Sequence, residues 1–330
     1  MNTLTSSSEL QQDVFGTVLS RAIGWICIGI LISFLINNVL QVGFGFPFGV
    51  VNFNSVNGII CTLVYFFGVL LPVLGVIFTP KVTLREDAAR IHDFNVYLVR
   101  ALYFAVLFIG VVDILIAFLR VEQVLGFFFS DGLVRELGKS SFVGRFVHIP
   151  LIFFAFIFAL FQRSLGFVWL ALLIVVAELS IVICRFVFSY EQALMGDLVR
   201  YWYAALFLFA SAYTLYDDGH VRVDVLYAGF SDRTKGLVNA VGSIFLGLST
   251  SIVIILIGLN GKTAIINKPV MNFEITQQGN VGMFIKYQMA AFIGIFAITM
   301  FLQFISYFLE SLANYKGYPG KREIVQGSSH

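Results

Sequence analysis

The stretch AYTLYDDGHVRVDVLY, residues 212–227, sets a short charged strip with one histidine between two apolar blocks, 201–216 and 237–259. What flanks the strip decides the fold. A block of this kind crosses a hydrocarbon layer of about 30 Å at roughly 1.5 Å per helical residue. Working outward, the same block recurs at residues 18–40, 58–79, 97–119, 146–161, 166–188 and 287–312. Only helices or a closed barrel satisfy the backbone in lipid, and the alternation of barrel strands is absent. The expected fold is therefore all-α, a polytopic helical membrane protein with about eight transmembrane helices.

Composition excludes the soluble alternative. Hydrophobic residues make up 59% of the 330, charged residues only 12%, and mean hydropathy is +0.91. A soluble chain would be nearer about half apolar and a quarter charged. The net charge of +2 comes from lysines and arginines dispersed between the blocks, which points to no nucleic-acid partner. Cys27, Cys61 and Cys184 all fall inside apolar blocks, so they are expected to pack between helices. The opening MNTLTSSSELQQD lacks the basic start of a signal peptide, so insertion is expected to rest on the first block.

Loops punctuate the blocks clearly. Gly43 to Gly49, with Pro47, begins a turn-rich connection that continues through Asn52, Asn54 and Asn57. Thr79-Pro80-Lys81 stops the second block. In residues 82–95, Leu84, Ala88 and Ile91 recur at helical spacing, which predicts a short amphipathic helix on the membrane surface with Lys81, Arg85 and Arg90 toward headgroups. The blocks 146–161, with Pro150, and 201–216 are short enough to be tilted, half-buried or interfacial. Lysine and arginine bias favours both termini in the cytoplasm, against the pull of Arg120, Arg135, Lys139 and Arg145 on the opposite side. Phe127–Phe129 beside Gly126 reads as a re-entrant or interfacial wedge.

From residue 166 to 315 the chain resembles the small membrane subunit of tripartite ATP-independent periplasmic (TRAP) transporters, the DctQ-like family. The resemblance rests on four features in order: Cys184-Arg185-Phe186-Val187-Phe188 ending one span, and Gly196-Asp197-Leu198-Val199-Arg200-Tyr201-Trp202-Tyr203 opening the next. Tyr213-Thr214 leading to Gly219-His220-Val221-Arg222-Val223-Asp224 is the third, and two closing spans that end at Leu312-Ala313-Asn314-Tyr315 are the fourth. The family usually has a basic residue where Tyr216 stands and a glutamate where Asp197 stands. It also has about four spans, so the four preceding ones are extra and the resemblance covers under half the chain. The expected organisation is an N-terminal membrane extension over 1–162, a DctQ-like domain over 163–315 and a tail over 316–330.

The resemblance implies a multi-pass subunit of the bacterial inner membrane that clasps a large DctM-like permease. That partner would hold the substrate and sodium sites and move. A periplasmic solute-binding protein would deliver an organic anion, often a carboxylate. Arg185, Asp197, Asp217, Asp218, His220, Arg222 and Asp224 are expected to contact the partner or fix the hairpin between spans. The plainer reading is an ordinary charged turn made permissive by Gly219.

Asp113 and Glu178 lie within apolar spans, where an unpaired carboxylate costs several kcal/mol and demands a partner. Glu178 and Arg185 share a helical face two turns apart, too far for direct contact. Each carboxylate is expected to pair with another helix or with the partner subunit. The alternative is an autonomous ion-coupled transporter in which both line a proton or sodium path. Asn239, Ser243, Gly247 and Ser251, each four apart, form a small-residue stripe for close helix packing. Tyr201, Trp202, Tyr203, Trp169 and Tyr287 read as interfacial anchors in contact with membrane lipid. No hydrolase elbow, zinc-protease pair or phosphate-binding loop occurs, and one histidine with no ligand at useful spacing makes no metal site. Neither enzyme activity nor a cofactor or metal is expected.

Overall fold

A computed structural model describes residues 2–163, 166–216, 225–276 and 281–320, with side chains described for 15–163, 166–216, 227–276 and 281–320. Among these residues there is no strand, and 82% of them are helical. Eight helices are long and apolar enough to cross a membrane: Phe15–Phe44, Val56–Phe78, Leu84–Val121, Ser140–Phe161, Phe167–Val187, Ala193–Tyr216, Asp232–Leu259 and Lys286–Lys316. They are called the first to eighth helices below. The fourth and sixth, which the apolar blocks alone leave short, run to 22 and 24 residues because polar turns extend them.

The third and eighth helices form the centre. Over the first turns of the third helix their facing sides are joined by polar groups set among apolar ones. Ser306 Oγ donates to the Ala88 carbonyl, Asn95 Nδ2 to the Thr299 carbonyl, and His92 Nδ1 meets Gln303 Oε1 at 3.1 Å. The predicted surface helix over 82–95 is instead the first turns of the third helix. Thr83 and Glu86 close a reciprocal capping box there. Leu84, Ala88 and Ile91 are buried against the first and eighth helices, not laid on lipid. Their helical spacing was legible; the surface they would cover belongs to the protein. Arg85 accordingly turns inward to Glu310, Asn314 and the carbonyls of Tyr318 and Pro319.

Small residues set the outer contacts. Gly29 and Gly68 bring the first and second helices so close that a methyl at Gly29 would overlap the Gly68 carbonyl. Ser33 Oγ and Asn37 Nδ2 then donate to carbonyls of the second helix at Val64 and Cys61. Such contacts suit lipid, where packing and polar bonds replace the hydrophobic drive between helices. The seventh helix meets the eighth through Gly236, where a methyl would strike the backbone at Ser311 and Tyr315, and through Gly247 against the Phe304 ring. The second and fifth helices are the most peripheral, each with 11% of its apolar window buried.

The cores run across residue 162. One cluster joins Val99, Tyr103 and Ile109 to Leu198, Tyr201 and Phe292; another joins Ile28 and Leu31 to Leu248, Ile305 and Leu309. Arg21 of the first helix, 1% exposed, bonds Asp87 at 2.6 Å and the Thr79 carbonyl at 2.7 Å. Asn38 and Asn267 exchange amide bonds between the first helix and the short helix Asn267–Asn272 that follows the seventh.

Candidate functional site

The eighth helix begins at Lys286, and a helix start leaves backbone N–H groups without intrahelical partners. The three residues just before it, Met283, Phe284 and Ile285, are fully buried, so water cannot satisfy them. Two carboxylates satisfy two of the three. Asp113 Oδ2, from the third helix, accepts the Phe284 N–H at 2.8 Å, and Asp197 Oδ2, from the sixth, accepts the Met283 N–H at 3.1 Å. Negative groups at a helix start also suit its dipole. Gly282 is required beside them, because a methyl there would collide with the Asp197 carboxylate.

A hydrogen-bonded chain continues from Asp113. Its Oδ1 lies 3.2 Å from His148 Nε2, and His148 Nδ1 meets Tyr287 Oη at 2.7 Å and Gln288 Nε2 at 2.8 Å. Tyr201 Oη donates to Gln288 Oε1. Assigned from this network, the amide nitrogen of Gln288 can only donate, so Nδ1 accepts and the ring proton sits on Nε2 toward Asp113. His148 ends a short π-helical segment, Gly144–His148, whose wider turn precedes Pro150. Arg120 completes the cluster, donating to the Gly282 carbonyl at 2.6 Å with its guanidinium 4.1 Å from the Phe284 ring centroid.

The arrangement is a clasp. Third, fourth and sixth helices converge on the start of the eighth, and every polar atom named in the cluster has a partner inside the chain. Among the described residues no group of three or more His, Cys, Asp or Glu is placed to hold a metal ion.

The residues singled out in the sequence fall in different places. Asp113 is covered entirely, paired with another helix. Glu178 is exposed on the fifth helix, so the two carboxylates are not brought together. Asp197 is 1% exposed and serves inside the chain, not on a surface that a partner could touch; the reason is the buried Met283 N–H that it caps. Arg185 is exposed at the end of the fifth helix, 3.5 Å from Glu191. Ser243, Gly247 and Ser251 are buried on the side of the seventh helix that faces the eighth, and Asn239 donates to Tyr227 Oη at 2.8 Å. Asp217, Asp218, His220, Arg222 and Asp224 lie outside the described residues.

The aromatic anchors divide. Trp169 and Tyr203 are exposed, but Tyr201, Trp202 and Tyr287 turn into the core, where each polar tip has a partner. Helical rotation separates Tyr203 from Tyr201 and Trp202, a distinction composition does not make. Phe127 and Phe128 project outward beyond the buried Leu125 on a short helix, Leu125–Phe128. In the loop near that end, Tyr190 Oη donates to Glu122 at 2.6 Å; lost hydration and that neighbouring carboxylate push its phenol up to about 12. His148, Gln288, Arg120, Arg21 and Asp87 were not singled out as sites. Their one sequence signal is a polar group within or beside an apolar block.

Eight crossing helices and a buried polar clasp define a polytopic membrane protein with an internally braced helix bundle. Residues 171–314 match the family model for the DctQ component of tripartite ATP-independent periplasmic transporters. That region is similar to the DctQ component, and the four preceding helices lie outside the match. No curated protein and no solved structure gives a match.

Proposed function

We propose that this chain is the small membrane subunit of a sodium-driven TRAP transporter of the bacterial inner membrane, both termini in the cytoplasm. It braces a large DctM-like permease during uptake of an organic anion, a carboxylate above all, that a periplasmic binding protein delivers. The DctQ match over 171–314 carries this reading. The clasp at Met283 and Phe284 supports it, since a helix start fixed by two carboxylates suits a stationary brace. Arg185 and the charged loop with Asp217, Asp218, His220, Arg222 and Asp224 are assigned within the same reading to partner contact or hairpin fixing. An autonomous transporter would need Asp113 and Glu178 on one path; one is enclosed and the other faces outward, so no observation favours it.

The test is uptake in proteoliposomes. The chain alone should move nothing, and adding its DctM-like large permease and periplasmic binding protein should give sodium-dependent accumulation. Robust transport by the isolated chain would overturn the proposal.

A further inference from the structure

Glu178 is the twelfth of the 21 residues of the fifth helix, so it sits roughly 13–17 Å from either end at about 1.5 Å per residue. That is the middle of the hydrocarbon, beyond the reach of a glutamate to headgroups. It is exposed, and among the described residues it makes no hydrogen bond or ion pair. The helix buries Leu170 and Ile174 and packs Ala177 and Ile181 on the core. Helical rotation places Glu178 on the flank beside them, with Val175 and Val182, 63% and 50% exposed.

Two comparisons within the molecule show that this exposure is specific. Asp113, the other carboxylate singled out within an apolar span, is wholly covered and doubly bonded. The second helix, Val56–Phe78, is as peripheral as the fifth but carries no charged residue, so its outer face suits lipid as it stands. The outer flank of the fifth helix does not, because hydrocarbon offers a carboxylate neither a cation nor a donor. Its complement is a basic or hydrogen-bond-donating side chain on another protein at the same depth.

We infer that this flank, Val175, Glu178 and Val182, is the docking surface for the large membrane subunit, which presents a lysine, arginine or donor group to Glu178. The inference rests on the small-permease reading above. A photocrosslinking residue would replace Val175 or Val182 in the full chain, co-expressed with the large subunit in native membranes. Leu71 on the second helix and Phe245 on the seventh serve as other outward faces. Crosslinks to the large subunit from 175 and 182 are expected. Glu178→Lys should lower the co-purified large subunit at least tenfold at equal membrane level, while Glu178→Gln, which keeps a polar group, should lower it by less than threefold. Crosslinks to the large subunit only from 71 or 245 would overturn the docking face and leave the small-permease reading standing. Crosslinks between two copies of this chain at 175 and 182 would assign the face to self-association and overturn the inference. No association by any position or by co-purification would remove the reading and the inference together. Should Glu178→Lys fail to accumulate, the crosslinks alone decide.

Discussion

At the scale of single residues, the buried polar groups act by capping what the backbone leaves open. Asp113 accepts from His148 and from the Phe284 N–H, so Asp113→Ala orphans both in a site closed to water. Each lost bond to a charged group is worth about 1.5–3 kcal/mol. The thermal unfolding midpoint of the purified chain should fall clearly, and less for Asp113→Asn, whose amide oxygen can still take the Phe284 N–H. Arg21 and Asp87 offer a second check. Removing one partner of a buried ion pair costs about 3–5 kcal/mol, whereas replacing both with apolar groups is far milder. Arg21→Met with Asp87→Leu should therefore be more stable than either change alone, measured as a double-mutant cycle of unfolding midpoints. Asp113 was legible as a residue needing a partner, because a carboxylate in an apolar run announces its cost. His148 and Gln288 were not, since nothing local says that a residue 35 positions away will meet Asp113 or that one 140 positions further on will meet that histidine.

Among elements, close approach is decided where side chains are smallest. Gly247→Leu would drive a branched side chain into the Phe304 ring and part the seventh helix from the eighth. Its yield in the membrane and its resistance to detergent extraction at rising temperature should both drop, whereas Gly242→Leu, with open space at that position, should leave them near wild type. The stripe of small residues was readable because four-residue spacing puts them on one side of a helix. The amphipathic pattern of 82–95 was equally readable as a helix. Its environment was misread: buried leucine against protein and leucine against lipid give the same period, and only the eighth helix, more than 200 residues on, tells them apart.

For the whole molecule, the eight crossings follow from block length and hydropathy, which is why their number was legible. The sharing of cores across residue 162 was not, because packing between blocks leaves no mark within either. It has a testable outcome. A chain lacking residues 1–162 would expose Gln288, Thr299, Gln303 and Glu310 of the eighth helix, whose partners in the first four helices are lost. Such a chain should fail to accumulate in membranes, as read by quantitative blotting of the membrane fraction. Accumulation at the normal level would show the last four helices to be self-sufficient. The Asp113 site also bears on biogenesis. A ribosome delivers Asp113 some 171 residues before Phe284, but His148 only 35 residues later. The third and fourth helices can thus leave the translocon as a pair with the carboxylate already shielded, and the last helix arrives to a berth prepared early in translation.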